Sequence, residues 1–218
     1  MNNADSEGEF EDRWEVAWTE FDWERYVRQQ DDSIRRYLAY YDDARDNPDR
    51  IDEAARQMGW DMEVDEDDED AEEINTPIPE VPYTLHKHPV YVASKALYIS
   101  LQRQWERICL DFHGQVPPAV QVGLLSSLHR GDLDATMAIQ SLDVGDYSLA
   151  VSQFKRALSD VNESLRHVEC LESSKSKTIQ AFVADARMRL FDLREIWLRV
   201  MSDCRNEDLR GFEEDSDN

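Results

Sequence analysis

The chain has 218 residues, with 24 Lys and Arg against 48 Asp and Glu for a formal charge of −24; 41% of its residues are hydrophobic and 10% aromatic. Seven Gly and seven Pro exclude collagen-like, Gly/Ser-rich and Pro-rich chains, and the apolar content is too high for a wholly disordered one. The acidity argues against a general nucleic-acid binder, which needs a basic face for phosphate.

The charge is unevenly placed. Residues 1–85 hold 28 acids and 8 bases, residues 86–205 hold 14 acids and 15 bases, and residues 206–218 hold 6 acids and 1 base. A near-neutral domain therefore carries an acidic N-terminal section and a short acidic tail.

Residues 1–12 are polar and acidic and read as a disordered tail. Residues 13–60 read as an aromatic, acidic helical arm. Phe10, Trp14, Trp18 and Phe21 recur at spacings of 4, 4 and 3, and Val27, Ile34, Leu38 and Tyr41 at 7, 4 and 3. Both series are helical. Asn47-Pro48 reads as the N-cap and first position of a short helix with Ile51, Ala54, Ala55 and Met58 on its apolar face. Gly59 is placed for a left-handed C-terminal cap, with Trp60 as its hydrophobic contact.

Residues 61–88 read as a linker, first acidic and then Pro-rich. Asp61 to Glu73 contains ten acids and no base, and four of the seven prolines lie within residues 77–89. The first part repels itself; the second is stiff and extended.

Residues 89–205 carry the strongest periodicity. Val90, Leu97, Leu101, Trp105, Ile108 and Phe112 define one helix, which Gly114 and Pro117-Pro118 end. A second carries Val120, Leu124 and Leu128 and stops near Arg130-Gly131. Asp132 is placed to cap a third, with Leu133, Met137 and Leu142. Two long helices follow. Tyr147, Val151, Phe154, Leu158, Val161, Leu165 and Val168 line the first; Ile179, Phe182, Ala186, Leu190, Leu193, Trp197, Val200 and Cys204 line the second. Heptad-like seams of this kind pack side by side, and the short polar connection between them requires an antiparallel pair. The fold expected is all-α: an antiparallel bundle of four to five helices, two of them long, heptad-patterned and C-terminal, with an acidic N-terminal helical arm. No period-two stretch predicts a sheet. Residues 206–218 read as a disordered acidic tail.

Gly145-Asp146-Tyr147-Ser148-Leu149-Ala150, with Phe154 and Ala157, resembles the second half of a tetratricopeptide motif. No second copy lies 34 residues away, and Asn162 stands near the place of that family's terminating proline, so the segment is read as a helical hairpin.

Cys109, Cys170 and Cys204 are odd in number and widely spaced, which fits buried thiols in a reducing compartment. Met1 to Asp5 lacks the features of a signal peptide, and no window is apolar enough for a membrane span. A cytoplasmic location follows as the expectation. No Gly-rich phosphate loop, GxSxG, HExxH, EF-hand loop or paired Glu-x-x-His is present, so a catalytic role is not expected. His86 and His88 are the best metal candidates, because alternate residues of an extended chain face the same side; the opposing reading makes His88 the cap of the helix starting at Pro89. No cofactor is implied. Four of the six tryptophans lie in the first 60 residues, and so much aromatic surface needs burial on the bundle or on a partner. Trp14, Trp18, Phe21 and Trp23 are the candidate contacts. The function expected is a non-catalytic protein-protein interaction or scaffold module with an unidentified protein partner, no nucleic-acid or membrane binding, and possible homo-oligomerisation. The alternatives are a metal- or small-molecule-binding bundle using His86 and His88, and an acidic decoy of a nucleic-acid-binding protein.

Overall fold

The computed structural model describes residues 19–60, 85, 88–112 and 114–216, with the side chains of Gln30 and of 208–216 outside that description. Six helices run in the order α1 (Glu20–Asp43), α2 (Arg50–Gln57), α3 (Pro89–Asp111), α4 (Pro118–Asp143), α5 (Tyr147–Glu169) and α6 (Lys177–Ser216), with no strand among the described residues. The fold is an all-α bundle of α3 to α6 with the α1–α2 hairpin packed against it. Most of the 61–88 linker and all of residues 1–12 lie outside the described residues.

Local chemistry sets most boundaries. Thr19 and Asp22 form a reciprocal capping box at the start of α1. Pro89 and Pro118 each occupy the first turn of their helices, where a missing amide costs nothing. Gly59 and Gly145 have φ of 78° and 77°, and the following amides of Trp60 and Asp146 reach back to Ala55 and Ser141 carbonyls. Both are left-handed helix stops. Asp146 then caps α5 through the Leu149 amide at 2.9 Å.

The bundle helices alternate in direction. Lys95–Asp132 relates α3 to α4, and Arg130–Asp160 relates α4 to α5. Trp197 Nε1 donates to Ser94 Oγ at 2.9 Å while Gln104 meets Asp185 at 2.8 Å, which makes α3 and α6 antiparallel. Trp197 is the hub of the core. It is fully buried and lies 6.0 Å from the Tyr98 ring and 6.1 Å from Phe154, joining α3, α5 and α6. A second stack, Trp105 on Phe182 at 5.3 Å, closes the other end of the α3–α6 seam.

Three expectations are corrected. α2 begins after Asp49, because Asn47 Oδ1 accepts the Asp49 amide in a turn of its own. The break expected at Arg130-Gly131 does not exist, and α4 runs unbroken through it. Gly131 is a packing residue: a Cβ there would lie 2.4 Å from the Tyr98 hydroxyl. The uninterrupted helix changes the phase of its second half, so Ala135, Ala138 and Ile139 are buried while Leu133 and Met137 face out. The acidic C-terminal segment is helical as far as Ser216, so α6 spans 40 residues, about 60 Å at 1.5 Å per residue. Of the thiols, Cys204 is buried, Cys109 half-buried and Cys170 exposed at the end of α5.

The Tyr98 hydroxyl is buried without a hydrogen-bond partner, so Tyr98→Phe is expected to cost nothing in stability. Gly131→Ala should destabilise the fold by about 1–3 kcal/mol through overpacking, outweighing its gain in helix propensity. Most of that cost should vanish in the Tyr98→Phe background, as read by urea unfolding of the four variants.

Candidate functional site

The arm's docked half is built from one face of α1. Ile34, Tyr37 and Tyr41 are buried and share a stripe at helical spacing. Tyr37 stacks on Trp60 at 5.4 Å, which closes the α1–α2 hairpin. α1 runs beside α3 in the same direction: near the start of α3, burial foremost and the nearby Asp132 and Asp31 carboxylates raise the Tyr91 phenol against Lys95, whereas Asp42 lies by the Asp185–Gln104 pair farther along.

Charge fastens this hairpin to the bundle. Asp185, Arg189 and Asp192 form a buried ladder on α6. Arg189 Nε donates to Asp185 at 2.7 Å, and its Nη2 reaches Asp42 of α1 at 2.5 Å. Arg45 pairs with Asp185 at 2.8 Å from the α1–α2 turn. Arg50 of α2 holds Asp192 through two nitrogens, each at 2.6 Å, and the Tyr41 hydroxyl also donates to Asp192. Arg199 extends the series to Asp52 at 2.5 Å. The Arg189 guanidinium also lies 5.1 Å from the centre of the Tyr41 ring, a cation–π arrangement. Its Nη1 is buried with no hydrogen-bond partner.

These contacts set the ionisation of their members. Burial raises the pKa of Asp185, but hydrogen bonds and charge from Arg189, aided by Gln104 and Arg45, prevail and hold it below the ordinary carboxylate value. Burial, then the Asp192 carboxylate, pushes the Tyr41 phenol well above its usual value.

A groove of about 640 Å³ opens where α1, α3 and α6 meet, floored by Ile108 and Phe182. Its charges balance, with Arg45, Arg107 and Arg189 facing Asp42, Asp111 and Asp185. Thr178 and Ala181 of α6 complete its lining beside Gln104 of α3.

The N-terminal half of α1 is only partly covered: Tyr26 is buried and meets the Trp23 ring edge to face at 6.2 Å. Phe21 is 73% exposed and Trp23 42% exposed. Trp23 continues the face that carries Ile34, Tyr37 and Tyr41, whereas Phe21 stands roughly 150° around the helix from it. Arg25 lies over the Phe21 ring at 5.4 Å. Trp14 and Trp18, the other two proposed contacts, lie outside the described residues.

The metal candidates are not brought together as a described site. His86 lies outside the described residues. His88 occupies the N-cap position of α3 but makes no side-chain cap. It is half-buried, with Nδ1 lacking a partner, and burial lowers its pKa against an opposing effect of Asp143. No three His, Cys, Asp or Glu residues among the described ones form a metal-holding group.

The Asp185–Arg189–Asp192 ladder was not singled out from the sequence. The signal was present: each residue immediately precedes a seam position, Ala186, Leu190 and Leu193, and so shares the 4 and 3 spacing of the seam. No protein-family model, curated protein or solved structure matches this chain.

Asp192→Ala strands Arg50 in its part-buried position and should cost about 3–5 kcal/mol, measured by urea unfolding. The pH dependence has a defined sign. Because the folded-state pKa of Asp185 is depressed, its stabilising contribution is present above the unfolded carboxylate value near 3.8 and is lost as pH falls through the folded one. Stability measured from pH 6 to pH 2 should show this acid-side loss diminished in Asp185→Asn.

Proposed function

We propose that the protein is a non-catalytic, cytoplasmic helical interaction module whose N-terminal arm is the contact element for a protein partner. The observation that carries this reading is the division of α1. Its C-terminal half is anchored by Tyr37, Tyr41 and the ion pairs of Asp42, while its N-terminal half, with Tyr26 buried, leaves Phe21 73% and Trp23 42% exposed. A rigid anchor behind exposed aromatic rings lowers the entropy lost on binding, and aromatic side chains supply the largest contact energy per residue. Trp14 and Trp18 extend the same aromatic series in sequence. The partner surface is basic and apolar, to match acidic and aromatic residues. Nucleic acid and membrane are not ligands in this reading; among the described residues no helix is long and apolar enough to cross a membrane.

A Trp14/Trp18/Phe21/Trp23→Ala variant with unchanged helical circular dichroism tests the reading. Chemical crosslinking and affinity capture should recover a partner with the wild-type chain and lose it with the variant, by at least about 2 kcal/mol, or roughly 30-fold in affinity. Equal recovery of the same partner by both proteins would defeat the role of the arm.

A further inference from the structure

α4 is apolar on two opposite sides, and the bundle covers only one of them. Val120, Leu124, Leu128, Ala135 and Ile139 form the buried stripe. On the far side of the same helix, and at the residue that ends it, stand Val122, Leu133, Met137 and Val144, exposed by 69%, 59%, 42% and 79%. At 100° per residue these four lie within about 40° of a single line along the axis. That line is about 33 Å long at 1.5 Å per residue. A single exposed apolar side chain is ordinary, whereas a continuous apolar stripe marks a surface that meets another molecule. A helix apolar on both sides has the pattern of one covered on both.

The spacing along this stripe is symmetric. Val122, Leu133 and Val144 recur at eleven residues, or 3.67 per turn, near enough to the α-helical period to keep the line on one face. Leu133 is the midpoint. His129 and Met137 lie four residues to either side of it, Ser126 and Gln140 seven, and Val122 and Val144 eleven. A two-fold axis through Leu133 would therefore lay two copies of α4 antiparallel with matched contacts. Leu133 would meet its counterpart, Val122 would meet Val144, Ser126 would meet Gln140, and the His129 ring would meet the Met137 thioether, a favourable sulfur–aromatic pair. Charge permits this pairing. No Asp, Glu, Lys or Arg stands on the stripe, and the charges flanking it are answered within the chain. Arg130 pairs with Asp160 and Glu163 at 2.9 and 2.6 Å, Asp132 with Lys95 at 2.6 Å, and Asp134 with Arg156 at 3.6 Å. Two like faces thus meet without opposed free charges. A face of this length and roughly one helix diameter wide is at the small end of specific interfaces, so the affinity expected is micromolar.

From this self-complementarity we infer that the outward face of α4 is a homodimer interface, covered by the same face of a second copy in antiparallel register about Leu133. Such a contact uses one patch on both chains and closes on itself. It is independent of the arm as a contact element and uses none of its residues.

Sedimentation equilibrium of the full chain across micromolar concentrations tests it, with two variants at an exposed position, Leu133→Asp and Leu133→Lys, whose folding is checked by circular dichroism. The wild-type chain should dimerise. Rising salt should strengthen the dimer, because the interface is uncharged while salt screens the repulsion between two chains of charge −24. Each variant alone sets like charges face to face on the two-fold axis and should raise the dimer dissociation constant by about thirtyfold or more. An equimolar mixture of the two should associate better than either alone, because Asp and Lys then meet at the axis. That rescue requires position 133 to face itself, which an ordinary packing role for Leu133 would not produce. A chain that stays monomeric at every concentration overturns the inference, as does a dimer insensitive to both variants or a mixture no better than its components. A dimer lost in the Trp14/Trp18/Phe21/Trp23→Ala variant but kept in both Leu133 variants also overturns it, and gives self-association to the arm instead.

Discussion

Arg189 is 3% exposed and meets two carboxylates from different parts of the chain, Asp185 on its own helix and Asp42 on the arm. A guanidinium buried to that degree is tolerable only where its charge is answered. The same holds for Asp192, which receives Arg50 and the Tyr41 hydroxyl. The arrangement ties the position of the arm to the helix that also carries Trp197, the hub of the core. Sliding the hairpin along α6 would separate several buried charges at once. Apolar contacts such as Ile34 and Tyr37 tolerate small displacements; directional ion pairs do not. The ladder therefore sets the register of the arm more sharply than the hydrophobic stripe beside it.

That register fixes which face of α1 is covered: Tyr26, Ile34, Tyr37 and Tyr41 are buried along it, and Phe21 near its start is left exposed. The net acidity is unevenly distributed. Carboxylates concentrate on the arm, the linker and the end of α6, whereas the four-helix bundle is close to neutral. Some arm carboxylates, Asp42 and Asp52, answer arginines of α6.

The α4–α5 hairpin shows how close packing enters the same design. Gly131 admits the Tyr98 hydroxyl, and Gly123 admits the His167 ring, to which an added Cβ would lie 2.4 Å away. Ser127 and Ser164 share a buried hydrogen bond at 2.7 Å. Small residues at these points let helices approach closely enough for short polar contacts to form inside the core. Glycine in the middle of a helix lowers its intrinsic stability, and here tertiary packing offsets that cost. The same residue in a sequence reads as a helix stop, which is why α4 was expected to break there.

The all-α class, the seams of α3, α5 and α6, the left-handed stops at Gly59 and Gly145, and the arm as a compositional unit were legible in the sequence. Periodicity, capping and composition act over a few residues, so each leaves its mark within a short window. The continuity of α4, the helical end of α6 and the exposure of Cys170 were not legible, because each depends on whether neighbouring elements cover or support that backbone. The candidate site divides in the same way. Phe21 and Trp23 stood out by residue type. Their exposure, and the opposition of Phe21 to the docked face, became visible only once Tyr37 and Tyr41 had fixed which side of α1 meets the bundle. The Asp185–Arg189–Asp192 ladder was the least legible feature. A charged residue beside a heptad seam looks the same in sequence whether it faces water or an arm more than 140 residues away, and only the folded chain supplies the Asp42 and Arg50 that make it buried.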